Sequence, residues 1–348
     1  MSSHVKLDSK RVCLISDIHV EVHQNTYLWH NIAMDWAKWL DKELKQKNIK
    51  DIIICGDLFH YRDEIAVNTI HVVTQILQIW NDYNIIILVG NHDAYYKDRS
   101  DVNSLSILSG WPNITVISSI TNADLFGKQA IFCPWGTSLS DISSGNIIFG
   151  HFEIESFKLN KFKVCDYGFK SSDLLKKSRL IISGHFHHRE EREYSNGKIV
   201  YLGNPYQMDF GDVDDVKGYH ILDFDDLSYE FTPNTMSPSH HKVKLSDMLN
   251  DESIDAQKIK GNFIKFFIDQ QITNDDIDIL IKTLFQLQPL SLNVDYSLAF
   301  QFGMEEESNY DFSGFDISTA IEEFINLMDI DNKDEVTKYT LDLYKKYR

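Results

Sequence analysis

The chain has 348 residues, of which 43% are hydrophobic and 25% charged, and its 52 acidic and 34 basic side chains give a formal net charge of -18. That size and balance fit a soluble globular protein with one large domain and one or two small ones, and no apolar run is long enough to span a bilayer. The acidic charge also speaks against a protein that grips nucleic acid unaided through a basic face.

Met1–Lys10 is polar and has no apolar core, so no secretory signal is expected and a cytoplasmic location is. Cys13, Cys55, Cys133 and Cys165 form no CxxC pair, as expected of buried, reduced thiols. From residue 11 onward one pattern recurs. A β-branched apolar run of strand length stops at Gly or Ser, and polar residues with ligand atoms follow. Arg11–Ser16 leads into Asp17-Ile18-His19, and Asp51–Cys55 into Gly56-Asp57. Ile85–Val89 leads into Gly90-Asn91-His92-Asp93, Asn146–Phe149 into Gly150-His151, and Leu180–Ser183 into Gly184-His185-Phe186-His187. Continuous apolar runs suit strands buried on both faces. Between them, Tyr27–Leu44 and Asn68–Tyr83 carry apolar residues at helical spacing. The alternation predicts a layered α/β domain, whose ligand site lies beyond the carboxyl ends of the strands, where all five polar clusters fall.

After Tyr194 the texture changes. Lys198–Leu202, Gly218–Phe224 and Tyr229–Phe231 look like strands, and Pro233-Asn234 with Ser237-Pro238 marks a linker. A small α+β unit follows, with strands at Asn262–Ile268 and Leu290–Tyr296 around a helix at Asn274–Leu287. Glu305–Asp316 reads as an acidic connector, and Ile317–Met328 and Asp334–Tyr347 as two amphipathic helices. The expected organisation is therefore 1–235, 240–300, a linker at 301–316 and a helical segment at 317–348.

Taken singly, each polar cluster is weak evidence, because Asp and His after a strand are usually turn residues. Five in order at five strand ends are hard to explain blandly. Their donors are carboxylate, imidazole and amide oxygen without thiolate, which suits two divalent ions. Mn²⁺ is favoured, and Mg²⁺, Fe²⁺ or Zn²⁺ fit the same ligands. Asp57, with two carboxylate oxygens, is the simplest bridge.

The ordered set D-x-H, G-D, G-N-H-D, G-H and G-H-x-H resembles the calcineurin-like metallophosphoesterases, over roughly the first two thirds of the chain. The resemblance implies a β-sandwich flanked by helices. It puts one metal on Asp17, His19 and His187, a second on Asn91, His151 and His185, and Asp57 between them. His92 would face the scissile phosphate as general acid, and Asp93 would orient His92 through its other ring nitrogen. Two ions ~3.5–4 Å apart would clamp the phosphate and activate a water for in-line attack.

Gly56-Asp-Leu-Phe-His60 and Tyr201-Leu-Gly-Asn-Pro205 resemble the Mre11/SbcD nuclease family, and within it the recombination endonuclease subunits of tailed phages. That implies a metal-dependent DNA exo/endonuclease of recombination and repair, located in the host cytoplasm if phage-encoded. His60 would help position substrate, and the 240–300 unit would contact DNA. The last helices would dock a Rad50/SbcC-like ABC-type ATPase, with Phe324 and Tyr344 as apolar anchors. The resemblance also implies a homodimer within a heterotetramer, to which Asn68–Tyr83 could contribute. The alternative is a stand-alone phosphodiesterase or phosphomonoesterase acting on a small phosphate ester. A non-catalytic scaffold is disfavoured by the complete ligand set. His23, His30, His71, His188, His240 and His241 are expected to be packing or surface residues, and Trp29, Trp36, Trp39 and Trp80 core.

Overall fold

A computed structural model describes residues 5–159, 163–250, 255–270, 272–296, 322, 325 and 332–346. In chain order its first half contains β1 (Arg11–Ile15), α1 (Val22–Asn25), α2 (Tyr27–Gln46), β2 (Asp51–Ile54), α3 (Val67–Ile79), β3 (Asn84–Leu88), β4 (Ile114–Ile117), β5 (Thr121–Leu125), β6 (Lys128–Cys133) and β7 (Ile147–His151). Then come α4 (Ser171–Leu174), β8 (Leu180–Gly184), β9 (Glu190–Tyr194), β10 (Gly197–Tyr201), β11 (Gly218–Asp223) and β12 (Tyr229–Pro233). The remainder holds β13 (His240–Lys244), α5 (Leu245–Asn250), α6 (Ala256–Ile259), β14 (Phe263–Phe267), α7 (Asn274–Gln286), β15 (Ser291–Asp295) and α8 (Lys333–Lys346).

The strands form two six-stranded sheets, ordered β12-β11-β1-β2-β3-β4 and β5-β6-β7-β8-β10-β9. In the first, β1 to β4 are parallel and β11 pairs antiparallel with β1. In the second, β6, β7, β8 and β10 are parallel, with antiparallel β5 and β9 at the edges. Strand alternation sorts the apolar residues into three cores. Val12, Leu14, Ile53, Ile86 and Leu88 face Phe132, Phe149, Ile182 and Val200 between the sheets. Their neighbours Cys13, Ile15, Ile52, Ile54, Ile85 and Ile87 face the other way, against Trp36, Leu40, Ile76 and Trp80 of the helical layer. Ile131, Ile148, Ile181 and Ile199 pack beneath Phe157, Leu174 and Leu175. Each fully buried aliphatic side chain contributes about 1.5–3 kcal/mol, so strands buried on both faces are the natural product of these runs. All four cysteines are buried free thiols. Trp36 and Trp80 are fully buried and meet edge to face at 5.6 Å.

The two helices and the apolar strands anticipated from sequence are present. Four further strands of the two large sheets, β4, β5, β6 and β9, were not anticipated; β4 and β6 carry short apolar runs that lead into no ligand cluster, and β5 and β9 are polar. β9 is Glu-Glu-Arg-Glu-Tyr, with alternate half-buried and exposed positions. An edge strand needs no apolar run, and its charges protect the open edge from pairing with another chain. A third sheet, β13-β14-β15, is parallel throughout. It abuts α2 through an aromatic stack: Trp29 lies on Phe263 at 5.2 Å, and Phe263 on His240 at 4.5 Å.

The chain divides into two compact units, Met1–Ser297 and Leu298–Arg348. Among described residues, the second unit shows α8, with acidic Asp334 and Glu335 in its first turn, where they complement the helix dipole. Phe324, the 301–316 connector and nearly all of the Ile317–Met328 stretch lie outside the described residues. Tyr344 lies on α8 and is half-buried. Among the described residues no helix is long and apolar enough to cross a membrane.

Candidate metal centre

The five polar clusters converge where the carboxyl ends of β1, β2, β3, β7 and β8 meet at one rim of the sandwich. Local backbone geometry explains their glycines and their shape. Gly56 has φ of 102°, and a Cβ there would fall on the His151 ring; a Cβ at Gly184 would fall on Ser16 Oγ and the Cys55 carbonyl. Asp17, His19, Asp57 and His185 all take positive φ, at 54°, 46°, 56° and 89°. For residues with a side chain this conformation is strained, and such strain persists where surrounding structure enforces it. Here it turns each ligand back over the strand ends.

Asp17, His19 and His187 place ligand atoms within 4.8 Å of one another, and so do Asp57, His151 and His185. In the first group His19 Nε2 and His187 Nε2 are 3.0 Å apart. In the second, Asn91 Oδ1 lies 2.8 Å from His151 Nε2 and 2.7 Å from His185 Nδ1. Asp57 stands between the groups: Oδ2 is 3.6 Å from His19 Nε2 and 3.3 Å from His151 Nε2, while Oδ1 accepts the His92 backbone N–H at 2.8 Å.

The donor chemistry fits cations. His151 Nδ1 donates to the Cys55 carbonyl at 2.7 Å, because a carbonyl can only accept. In the neutral ring Nε2 is then a bare lone pair facing the Asn91 amide oxygen, itself an acceptor. Two acceptors at that distance call for positive charge between them. In the protein alone a proton supplies it: although burial works against the charged ring, the Asp57 carboxylate raises His151 to about 9. Asp57 is held well below the usual carboxylate range, since the His151 and His19 rings outweigh the penalty of burial. Burial drives His19 far down, with Asp57 opposing.

A second layer fixes the ligands. Glu153 Oε1 lies 3.5 Å from His185 Nε2. Lys217, nearly fully buried, donates to the His187 carbonyl at 2.7 Å and is paired with Asp212 at 2.9 Å and Asp215 at 2.6 Å. Sequence reasoning missed Glu153, Lys217, Asp212 and Asp215; in the sequence they resemble any polar loop. His60 joins both layers: its Nδ1 meets His19 Nδ1 at 3.2 Å, and its carbonyl accepts His92 Nδ1–H at 2.5 Å. His60 and His92 stack at 5.1 Å and line a cavity of about 840 Å³ together with Gln24, Asn25, Tyr61 and Arg62.

One expected arrangement is corrected. Asp93 does not orient the His92 ring. Its carboxylate is fully engaged by four backbone N–H groups, those of Asp57 (2.8 Å), Leu58 (3.1 Å), Phe59 (3.0 Å) and Gly90 (3.0 Å). The turn closed by Ala94 N–H on the Gly90 carbonyl is a single helical turn, in which consecutive side chains are rotated by about 100° and diverge. Asp93 goes under the loops and His92 towards the cavity. Burial, then the neighbouring Asp57, pushes the Asp93 carboxyl up to about 7 against those four donors.

A family model described as calcineurin-like phosphoesterase matches residues 10–214. The chain belongs to the calcineurin-like phosphoesterases. Among similar proteins, exonuclease subunit 1 of Enterobacteria phage T4 is 27% identical over 352 residues, spanning 96% of this chain and 98% of that protein. The SbcD subunit of the nuclease SbcCD from Staphylococcus epidermidis is 26% identical over 242 residues, or 56% of this chain and 63% of that protein. A solved archaeal phosphodiesterase aligns at 13% identity with a TM-score of 0.37, covering 64% of this chain and 99% of its own. As a member of this family the chain is a phosphoester hydrolase with divalent metal ions as its expected cofactors.

Proposed function

We propose that this phosphoesterase is the cutting subunit of a DNA exo/endonuclease, hydrolysing phosphodiesters at a centre for two divalent ions, with Mn²⁺ the favoured occupant. The observation that carries the two-ion reading is Asp57 Oδ2, a single carboxylate oxygen facing both an imidazole of the Asp17–His19–His187 group and one of the Asn91–His151–His185 group. DNA as substrate rests on similarity to the phage T4 exonuclease subunit along nearly the whole of both chains.

Ions held there supply Lewis acidity toward a phosphate group. The chain's own residues do the rest. His92 binds the His60 carbonyl through Nδ1–H, which leaves Nε2 as the atom that exchanges a proton with the leaving oxygen. His92 N–H on Asp57 Oδ1 holds the proton-transfer residue and the bridging carboxylate at fixed separation. His60, through His19 Nδ1, fixes which nitrogen of that ligand faces the ion.

With a net charge of -18, the chain itself lacks the cationic field that holds DNA. A Rad50/SbcC-like ABC-type ATPase supplies that grip in this reading. The 317–348 segment, with Phe324 and Tyr344, docks it, the 240–300 lobe contacts DNA, and the complex contains two copies of each chain. The test is hydrolysis of a labelled duplex, bis-p-nitrophenyl phosphate and p-nitrophenyl phosphate, in Mn²⁺ and in Mg²⁺, with and without the ATPase. Cleavage of the duplex and the diester supports the proposal. Fast monoester turnover with intact DNA under every condition refutes it in favour of a small-molecule phosphatase.

A further inference from the structure

Glu21 is fully buried two residues beyond His19, and no role described so far uses it. The loops after β1 and β2 run side by side: Asp17 N–H donates to the Gly56 carbonyl at 3.0 Å, His19 N–H to Asp57 at 3.1 Å and Val20 N–H to Leu58 at 3.1 Å. At the next residue a side chain takes over. Glu21 Oε1 accepts the backbone N–H of His60 at 3.2 Å and of Tyr61 at 2.9 Å, just where the second loop turns out to form the cavity wall. Its Oε2 is buried without a hydrogen bond of normal geometry, although the Thr69 hydroxyl interacts with the carboxylate. A carboxylate is costly to bury even where it is hydrogen-bonded, so its retention asks for a reason.

The reason lies one bond away. The Tyr61 N–H and the His60 carbonyl are the two ends of a single peptide group, which is planar and trans. Glu21 holds one end, and His92 Nδ1 is bonded to the other. Carboxylate, peptide plane and imidazole thus form one continuous chain. A carboxylate on the N–H polarises the amide and strengthens the carbonyl as an acceptor.

We infer that Glu21 is a positioning residue for His92, acting through the His60–Tyr61 peptide to aim Nε2 at the leaving oxygen. This is the part that the sequence assigned to Asp93. The inference rests on the reading of His92 as the proton donor, so the experiment separates the two. The full-length protein is assayed on DNA, whose sugar oxygen needs a proton to depart, and on bis-p-nitrophenyl phosphate, whose p-nitrophenolate leaves without one. The readout is the ratio of the two turnover numbers, with bound metal measured in parallel.

Glu21→Ala is expected to lower that ratio about 10- to 100-fold, the usual scale for loss of an outer positioning partner, with metal content kept. Glu21→Gln, which keeps an oxygen for the two N–H groups, restores most of it. Glu21→Asp, which withdraws the acceptor by one methylene, falls between, and serves where the alanine variant fails to fold. Equal losses on both substrates, or metal loss, would show that Glu21 merely supports the loops and overturn the inference. An unchanged ratio in all three variants also overturns it. His92→Ala is the control: if it leaves the ratio unmoved, the reading of His92 as proton donor fails and this inference falls with it. If it lowers the ratio while the Glu21 variants do not, only the role of Glu21 is lost.

Discussion

The carboxylate of Asp93 accepts the backbone N–H of Asp57 at 2.8 Å, so the residue that follows His92 in sequence braces the carboxylate that stands between the two candidate ligand groups. Three more N–H groups complete its shell. Asp93→Asn puts an amide NH₂ against those donors. The expected result is weaker metal binding, by about 10- to 100-fold, read by elemental analysis after gel filtration or by calorimetric titration. Full metal content with lost turnover would instead restore Asp93 to the chemistry.

His92→Ala should behave in the opposite way. The ring hydrogen-bonds the His60 carbonyl and stands outside the two groups assigned to the ions, so in the proposed reading the metal should stay while DNA hydrolysis falls about 10²–10⁴-fold, the range for a general acid. Retained metal with lost activity is the expected signature; metal loss would mean that His92 is a ligand.

Lys217 is nearly fully buried between Asp212 and Asp215 and reaches the His187 carbonyl. Lys217→Met leaves two buried carboxylates without their cation. Stability should drop by about 3–5 kcal/mol, measured by urea unfolding of the metal-free protein. Adding Asp212→Asn and Asp215→Asn should recover part of the loss. An unchanged unfolding midpoint for the single variant would show that the cluster is not held by charge.

His220 gives the fold an acid sensitivity independent of the metal centre. Burial pushes its pKa down to about 3, with Arg189 adding to the effect, and both ring nitrogens are buried without hydrogen-bond partners. His240, also buried, is lowered to about 4. The folded state keeps these rings neutral, whereas the unfolded chain protonates them near 6.5. Stability from neutral His220 is therefore fully present above pH 6.5 and is lost as pH falls toward 3. Each such histidine contributes a slope of about 1.4 kcal/mol per pH unit within its window. His220→Leu should remove one proton's worth of that slope in denaturation curves between pH 4 and 6; an unchanged slope would mean the ring is already charged in the fold.

The convergence of the candidate ligands was legible because metal chemistry would demand rare residue types at fixed places after apolar strands. Asp17, His19, Asp57, Asn91, His151, His185 and His187 are brought together at one rim of the sandwich. What holds them was not legible. The Cys55 and His60 carbonyls orient His151 and His92, and every residue has a carbonyl. Asp93 was misread because neighbours in a helical turn diverge by about 100°, so adjacency in sequence was no guide to contact. Edge strand β9 was hidden by the same rule that revealed β1, since burial on both faces is what makes a strand apolar.

Each ligand group draws on both sheets. Asp17 and His19 follow β1 while His187 follows β8; Asp57 and Asn91 follow β2 and β3 while His151 and His185 belong to β7 and the turn after β8. An ion in either group would thus be a tie-bolt between the two halves of the sandwich, closing a span of chain from residue 17 to residue 187 in the first group and from residue 57 to residue 185 in the second. Its binding energy becomes resistance to the sheets parting. The melting temperature should therefore climb with free metal concentration, and a chelator should act on this protein as a mild denaturant as well as an inhibitor.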